Sequence, residues 1–273
     1  VTVGDEPQAV IGSYLHRYAY PDWFRDHEAR GQKLEHGYNH PSGPVRCVQL
    51  RGEYVFAAAG AEGTRVFDAA SVSNKGISQR IITAPFSPLG HDTRVESKNA
   101  TCMALPTNQP VNPARNQGEL MRVTNMEQPI HPIYSYMFIT DAEEGLITVN
   151  VNTLVDGEPR NNFLERGATW NPGGVLTGAR FITMGGHYAY VLTPSALVIV
   201  NVDNPLAPTL TATLPLVEPR GASLQFRYLF VTDAEGLKAV DVTQPGAPRL
   251  VPNNTVPVAD AHGVFVSRTY AYV

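Results

Sequence analysis

Several features are scarce in this sequence of 273 residues, and each scarcity excludes a class of protein. Two cysteines, Cys47 and Cys102, form no CxxC or CxxCH pattern, so this segment alone builds neither a thiolate zinc site nor a covalently attached haem. No apolar run approaches the roughly 20 residues of a membrane-spanning helix. Lysines and arginines form no cluster and the formal net charge is −4, which argues against nucleic acid as a partner.

The abundance of glycine and proline indicates short secondary-structure elements joined by turns. The apolar fraction of 43% is sufficient for a sizeable core. The 23 glycines and 22 prolines are spread along the whole chain, which excludes a helical bundle. The chain begins at Val1 and ends inside the apolar run Tyr270–Val273, so we expect it to be a piece of a longer protein.

A repeated pattern with a unit of about 40 residues organises most of the sequence. In each copy an alternating aromatic run predicts one strand, a polar turn such as Thr-Asp-Ala-Glu-Gly predicts a hairpin, and a second apolar run predicts the returning strand. An Asp or Asn, such as Asp241 or Asn201, then stands where its side chain can bind the next turn, and prolines stop the strand. The copies open at Tyr54, Tyr136, Tyr188, Tyr228 and Tyr270.

A further apolar run on each side of this hairpin gives about four strands per unit. Such a sheet cannot bury both of its faces alone, so the copies must stack. Radial stacking predicts an all-β fold, a β-propeller of four-stranded antiparallel blades with four to five blades visible, and a linear solenoid is the alternative. We assign 44–273 to the propeller, 106–132 to a loop inserted within one blade, and 1–43 to an N-terminal aromatic and charged arm or linker.

The motifs Leu197-Val-Ile-Val-Asn201 and Leu237-Lys-Ala-Val-Asp241 resemble the LVIVD repeat family. The resemblance implies six or seven blades in the full protein and an exported prokaryotic protein, periplasmic, extracellular or at the cell surface. It also implies an association, in some members, with multihaem c-type cytochromes. The motif records hairpin and turn requirements and carries almost no information on chemistry.

The cysteines and their neighbours are the first candidate site. Cys47 and Cys102 are predicted to share an inward position with Phe181, Leu224 and Val264. The preferred interpretation is two buried thiols, with a disulfide between neighbouring blades as the alternative and a reactive thiol as a third. The residues one position earlier would face the central channel; they are Arg46, Thr101, Arg180, Ser223 and Gly263.

Arg46 and Arg180 are thus candidates for binding an anion or a partner's carboxylate at the channel mouth. The interpretation we prefer is that the charged residues of nearby turns, Arg220, Asp260 and Asp92, neutralise them. His262 is the third channel-mouth candidate. Aromatic residues of the arm, Trp23 and Phe24, and Arg115 of the inserted loop are candidate contacts with a protein partner, because exposed aromatics and added loops often bind.

No pattern for a nucleotide, metal or catalytic triad stands out, so we predict no catalytic, cofactor or metal residues. The favoured function is a non-catalytic scaffold that binds a protein partner, for example a multihaem cytochrome or copies of itself. The alternatives are an enzyme working at the channel mouth, with Arg46, Arg180 and His262 as its first residues, and a structural spacer in a filament or envelope layer.

Overall fold

A computed structural model gives the fold and describes residues 2–3, 6–7, 44–52, 54–68, 94–111, 123, 129–156 and 163–273. These residues form antiparallel strands joined by turns, with short 3-10 segments at Pro132–Ser135, Asn152–Leu154 and Pro172–Gly174. Within these ranges, none of the helical segments has the length and apolarity needed to cross a membrane. The predicted all-β class is confirmed.

Four sheets of at least four strands follow one another along the chain. A small hairpin, β1 (Thr2–Val3) and β2 (Glu6–Pro7), precedes them. The first sheet contains β3 (Cys47–Arg51), β4 (Tyr54–Ala58), β5 (Thr64–Asp68) and β6 (Arg94–Val95). The second contains β7 (Ala100–Ala104), β8 (Tyr136–Asp141), β9 (Gly145–Asn150) and β10 (Glu165–Trp170).

The third and fourth sheets repeat this order without a long insertion. The third contains β11 (Phe181–Gly185), β12 (Tyr188–Leu192), β13 (Ala196–Asn201) and β14 (Thr209–Pro215). The fourth contains β15 (Gly221–Gln225), β16 (Tyr228–Asp233) and β17 (Gly236–Asp241), with β18 (Arg249–Leu250) and β19 (Val256–Pro257) both paired to β17. The hairpin β20 (Phe265–Ser267) and β21 (Tyr270–Tyr272) begins a fifth sheet.

The first strands of successive sheets lie beside one another, and this makes the sheets blades around a common axis. The neighbouring pairs are β3 and β7, β7 and β11, β11 and β15, and β15 and β20. Within each blade the strands follow in chain order from the axis outwards. The arrangement is the predicted β-propeller, and each repeat tyrosine opens the second strand of its blade.

The hydrophobic core lies between the blades, because alternate side chains of one strand point to opposite faces. In β12, Ala189 and Val191 pack in the core shared with the second blade, whereas Tyr190 and Leu192 pack in the core shared with the fourth. Met137 and Ile139 of β8 enter the core between the first two blades. Each buried side chain of this size contributes about 1.5–3 kcal/mol, and only a neighbouring blade can supply that burial.

Short polar side chains hold the turns as the repeat predicts. Asp233 Oδ1 accepts hydrogen bonds from the main-chain N–H groups of Glu235 and Gly236, at 2.8 and 3.1 Å. At the end of the returning strand, Asn201 Oδ1 and Asp241 Oδ1 each accept the N–H two residues further on, at 2.8 and 3.0 Å. The acidic Thr-Asp-Ala-Glu segments are therefore hairpin turns.

The turn between the first and second strands of a blade requires one residue with positive φ. Glycine occupies this position at Gly52 (φ 56) and Gly186 (φ 57), which meet the requirement without steric cost. The fourth blade has Phe226 there, with φ 52 and a side chain that is 94% exposed. A bulky L-residue in this conformation costs about 1–2 kcal/mol, and the exposed ring gains no burial in return.

We predict that Phe226→Gly stabilises the protein by about 0.5–1 kcal/mol, because it removes the steric cost at the price of a more flexible unfolded chain. Urea unfolding measures the change. Phe226→Ala is the matched control: it also removes the ring but keeps a Cβ at positive φ, and it should leave the free energy of unfolding nearly unchanged. Equal effects of the two substitutions would show that the turn is not strained.

Candidate functional site

Arg46 and Arg180, two of the channel-mouth candidates, occupy equivalent positions in the first and third blades. Each stands one residue before the first strand of its blade, and its main-chain N–H donates at 2.8 Å to a carbonyl at the end of the second strand. The main-chain N–H of Arg220 donates to Thr232 O in the same way, also at 2.8 Å. Three of the blades therefore present arginine at one shared position.

The same position is found by counting eight residues back from the repeat tyrosine. This count gives Arg46 from Tyr54, Arg180 from Tyr188 and Arg220 from Tyr228, and it gives His262 from Tyr270. In the second blade, which carries an insertion before its tyrosine, the corresponding residue is Thr101, directly before Cys102. We call this set the axial ring: Arg46, Thr101, Arg180, Arg220 and His262.

The sequence-based alignment of the later blades is wrong by up to three residues. In the first blade, Cys47 pairs with Ala58, which stands four residues after the blade's tyrosine. In the fourth blade, the residue that pairs with the equivalent position, Thr232, is Gly221 and not Leu224. The channel position of that blade is therefore Arg220 instead of Ser223, and in the next blade it is His262 instead of Gly263. Counting back from each tyrosine predicts these equivalent positions correctly, whereas aligning the apolar runs does not.

Side chains of the axial ring reach the segment that leads into the next blade. Arg46 Nη1 donates to Asn99 Oδ1 at 2.7 Å. Thr101 Oγ1 donates to Ala179 O at 2.9 Å. In the fourth blade, Arg220 Nη1 donates to Asp260 Oδ1 at 2.6 Å and also lies 3.4 Å from His262 Nε2. The ring thus joins consecutive blades at one end of the axis.

Charge compensation within the axial ring is uneven. Asp260 accepts from Arg220 and lies beside His262, and these two contacts hold the pKa of its carboxyl below the ordinary value. Asp260 does not pair with Arg46 or Arg180, so the predicted neutralisation by this residue is wrong, whereas Asp92 lies outside the described residues. Arg46 has the neutral Asn99 as its partner, and the exposed guanidinium of Arg180 has no hydrogen bond or ion pair to any described residue. Among the described residues, Arg46 and Arg180 therefore have no acidic partner.

The two cysteines next to this ring are bridged. Cys47 of β3 and Cys102 of β7 form a disulfide with a Cα–Cα distance of 4.8 Å. The preferred prediction of two buried thiols is therefore wrong, and the alternative of a bridge between neighbouring blades is correct. Cys47 pairs with Ala58 and Cys102 pairs with Thr140, and both partners stand four residues after the tyrosine of their blade. The two cysteines therefore occupy equivalent positions in adjacent first strands, which brings them within bonding distance.

We predict that Cys47→Ala/Cys102→Ala lowers the free energy of unfolding by about 2–4 kcal/mol, because the bridge closes a loop across 55 residues of the unfolded chain. Urea unfolding of the oxidised protein and of the double variant measures this. A reducing agent should destabilise the wild type by a similar amount and leave the double variant unaffected. An oxidised protein with two titratable thiols would contradict the bridge.

The proposed partner contacts Trp23, Phe24 and Arg115 lie outside the described residues. Of the inserted loop, residues 106–111 follow β7, and the 3-10 segment that begins at Pro132 leads into β8. Among the described residues, no three His, Cys, Asp or Glu side chains are grouped so that they could hold a metal ion. The His262 ring contacts Asp260 and Arg220, and no described hydroxyl or thiol is hydrogen-bonded to the ring. The hydroxyl of Thr232 donates to the main-chain carbonyl of His262 at 3.1 Å.

The LVIVD repeat family model matches residues 178–214, which span most of the third blade. No curated protein matches the chain. Among solved structures, a periplasmic gluconolactonase of Pseudomonas aeruginosa is 15% identical with a TM-score of 0.55, over 84% of this chain and 60% of that one.

Two other solved structures are similar at the level of the fold. A computationally designed protein, Ika8, is 8% identical with a TM-score of 0.52, over 86% of this chain and 56% of that one. A protein from Lactobacillus plantarum is 10% identical with a TM-score of 0.50, over 81% of this chain and 58% of that one. The chain therefore matches less than two thirds of the length of each of these structures.

Blades around an axis, joined by their first strands, define the chain as a β-propeller. Its third blade matches the LVIVD repeat.

Proposed function

We propose that this propeller is a non-catalytic interaction module of an exported prokaryotic protein, and that the axial ring binds an acidic segment of a protein partner. The observation that carries the proposal is the recurrence of a basic residue type at one position in four blades: Arg46, Arg180, Arg220 and His262. Arg46 and Arg180 lack an acidic partner among the described residues. A carboxylate from another chain would supply the missing charge.

The fold supports this use of the ring because it holds the arginines on strands that cannot shift independently. Their main chains are hydrogen-bonded within each blade, and a disulfide and hydrogen bonds from Thr101 and Arg220 join consecutive blades. A binding surface that is already rigid loses little conformational entropy when a partner binds. Arginine is also the side chain best suited to carboxylates, because its planar fork can donate two parallel hydrogen bonds.

The disulfide between Cys47 and Cys102 supports the exported location. Structural disulfides persist in oxidising compartments and are rare in a reducing cytosol. Within this proposal, a multihaem c-type cytochrome is the partner that the LVIVD resemblance implies, and copies of the same chain are the alternative. The enzymatic alternative at the ring is less well supported, because no described hydroxyl or thiol is hydrogen-bonded to the His262 imidazole.

We predict that Arg46→Gln/Arg180→Gln weakens binding of a fluorescein-labelled hexaglutamate peptide by about tenfold, because each lost charge pair contributes up to about 1 kcal/mol and 1.4 kcal/mol is tenfold. Fluorescence anisotropy at low and at physiological ionic strength measures the affinity, which should fall as salt rises.

The matched control is Arg227→Gln/Arg268→Gln, which removes two arginines that are also exposed, from turns at the opposite end of the first strands. This control should retain wild-type affinity. An equal loss in both double variants would show that the peptide responds to net charge alone, and unchanged binding in the ring variant would refute the proposed surface.

A further inference from the structure

The outer edge of the fourth blade is interrupted by a short bulge. Its outermost strand consists of two pieces, β18 and β19, which pair with the two ends of β17. The outer chain from Arg249 to Pro257 has nine residues, and it spans the six residues of β17. In the third blade, the seven residues of β14 span the six residues of β13. The fourth blade therefore has two residues more at its outer edge.

The bulge that these residues form is exposed and is anchored at both ends. Directly before it, the Val251 N–H donates to a carbonyl of β17 at 2.9 Å, and directly after it, Val256 pairs with β17. The four residues between them, 252–255, are Pro-Asn-Asn-Thr, and all four are exposed. Asn253 has φ 55, a conformation that asparagine adopts more readily than most L-residues.

The bulge contains the acceptor pattern for N-linked glycosylation, which is Asn-x-Ser/Thr with any residue except proline in the middle. Asn253 supplies the amide, Asn254 is the middle residue and Thr255 supplies the hydroxyl. Among the described residues, none forms a hydrogen bond with the side chain of Asn253 or Thr255. Both side chains are thus free to enter the active site of a modifying enzyme.

The sequence contains one other copy of the pattern, Asn99-Ala100-Thr101, and its surroundings are different. Asn99 Oδ1 accepts a hydrogen bond from Arg46 Nη1 at 2.7 Å. Ala100 is fully buried at the start of β7, and Thr101 Oγ1 donates to Ala179 O at 2.9 Å. An enzyme reaches this copy only if β7 opens, whereas it reaches the copy at Asn253 in the folded protein.

We propose that Asn253 is the acceptor of an N-linked oligosaccharide. An oligosaccharyltransferase catalyses the transfer, and a lipid diphosphate-linked oligosaccharide is the donor. Nδ2 of Asn253 forms a bond to the anomeric carbon of the sugar, and the bond between that carbon and the diphosphate breaks. The lipid diphosphate leaves, and the amide loses one proton to a base of the transferase. The site shares with the proposed function only the exported location, because it lies at the outer edge of its blade and the axial ring lies at the inner strands.

A glycan at this position protects the outer edge of the blade. Leu250 and Val256, which flank the bulge, are 41% and 53% exposed. Sheet edges with exposed apolar side chains are prone to pair with other chains. A bulky, hydrophilic oligosaccharide between the two pieces of the outer strand blocks such pairing.

Mass spectrometry of the protein isolated from the cells that produce it is the first test. The peptide that contains Asn253 should carry an oligosaccharide, and electron-transfer fragmentation should place it on this residue. The peptide that contains Asn99 should be unmodified. An Asn253 peptide that is found entirely without glycan would overturn the proposal.

Transfer to the purified, folded protein is the second test. With a transferase that requires only Asn-x-Ser/Thr, occupancy at Asn253 should exceed that at Asn99 by more than about tenfold, because Asn99 is reached only by local unfolding. Thr255→Ala should abolish transfer to Asn253, and Thr255→Ser, the matched control, should retain it. Equal occupancy at the two asparagines, or transfer to the Thr255→Ala variant, would contradict the proposal.

Two further measurements separate this site from folding and from the axial ring. Both Thr255 variants should unfold in urea as the wild type does, because the side chain is exposed and makes no contact that stabilises the fold. Both should also bind hexaglutamate as the wild type does. The glycan site can therefore fail while the axial ring binds, and the reverse.

Discussion

The structure depends on one constraint: each blade is apolar on both faces and must be covered on both. The alternation along β12 shows this directly, because Ala189 and Val191 serve one interblade core while Tyr190 and Leu192 serve the next. Stability is therefore a property of adjacent pairs of blades more than of any blade alone. The same constraint fixes the position of every first strand at the axis, and it thereby places the side chains at the strand ends.

The fold could be predicted because its determinants are local. The Asx turns at Asp233 and Asp241 and the prolines Pro245 and Pro248 are visible within one copy of the repeat, and the spacing of the tyrosines is visible from one copy to the next. The site was less predictable. Arg220 was missed because the register of the first strand was judged from its apolar run, whose ends are ambiguous, and the disulfide depended on the distance between two blades, which one copy does not contain.

The two ends of β3 use arginine in opposite ways. Arg46 is exposed, and its contact with Asn99 leaves its charge uncompensated, which suits a ligand that arrives from solvent. Arg51 is enclosed, and its contacts with Val111 and Tyr134 hold an insertion in place. Arginine serves both positions because its charge is permanent and its guanidinium carries five N–H donors.

The turn between the first and second strands has a consequence for how such a protein can be altered. Gly52, Gly186, Phe226 and Arg268 all occupy it with positive φ, and in the second blade the long insertion between β7 and β8 arises at the same point. Phe226 and Arg268 project into solvent there, away from the interblade cores, so the residue type and even the number of residues can vary between blades with little effect on those cores. Foreign loops could thus be grafted into these turns at one end of the propeller, while the axial ring at the other end stays unchanged.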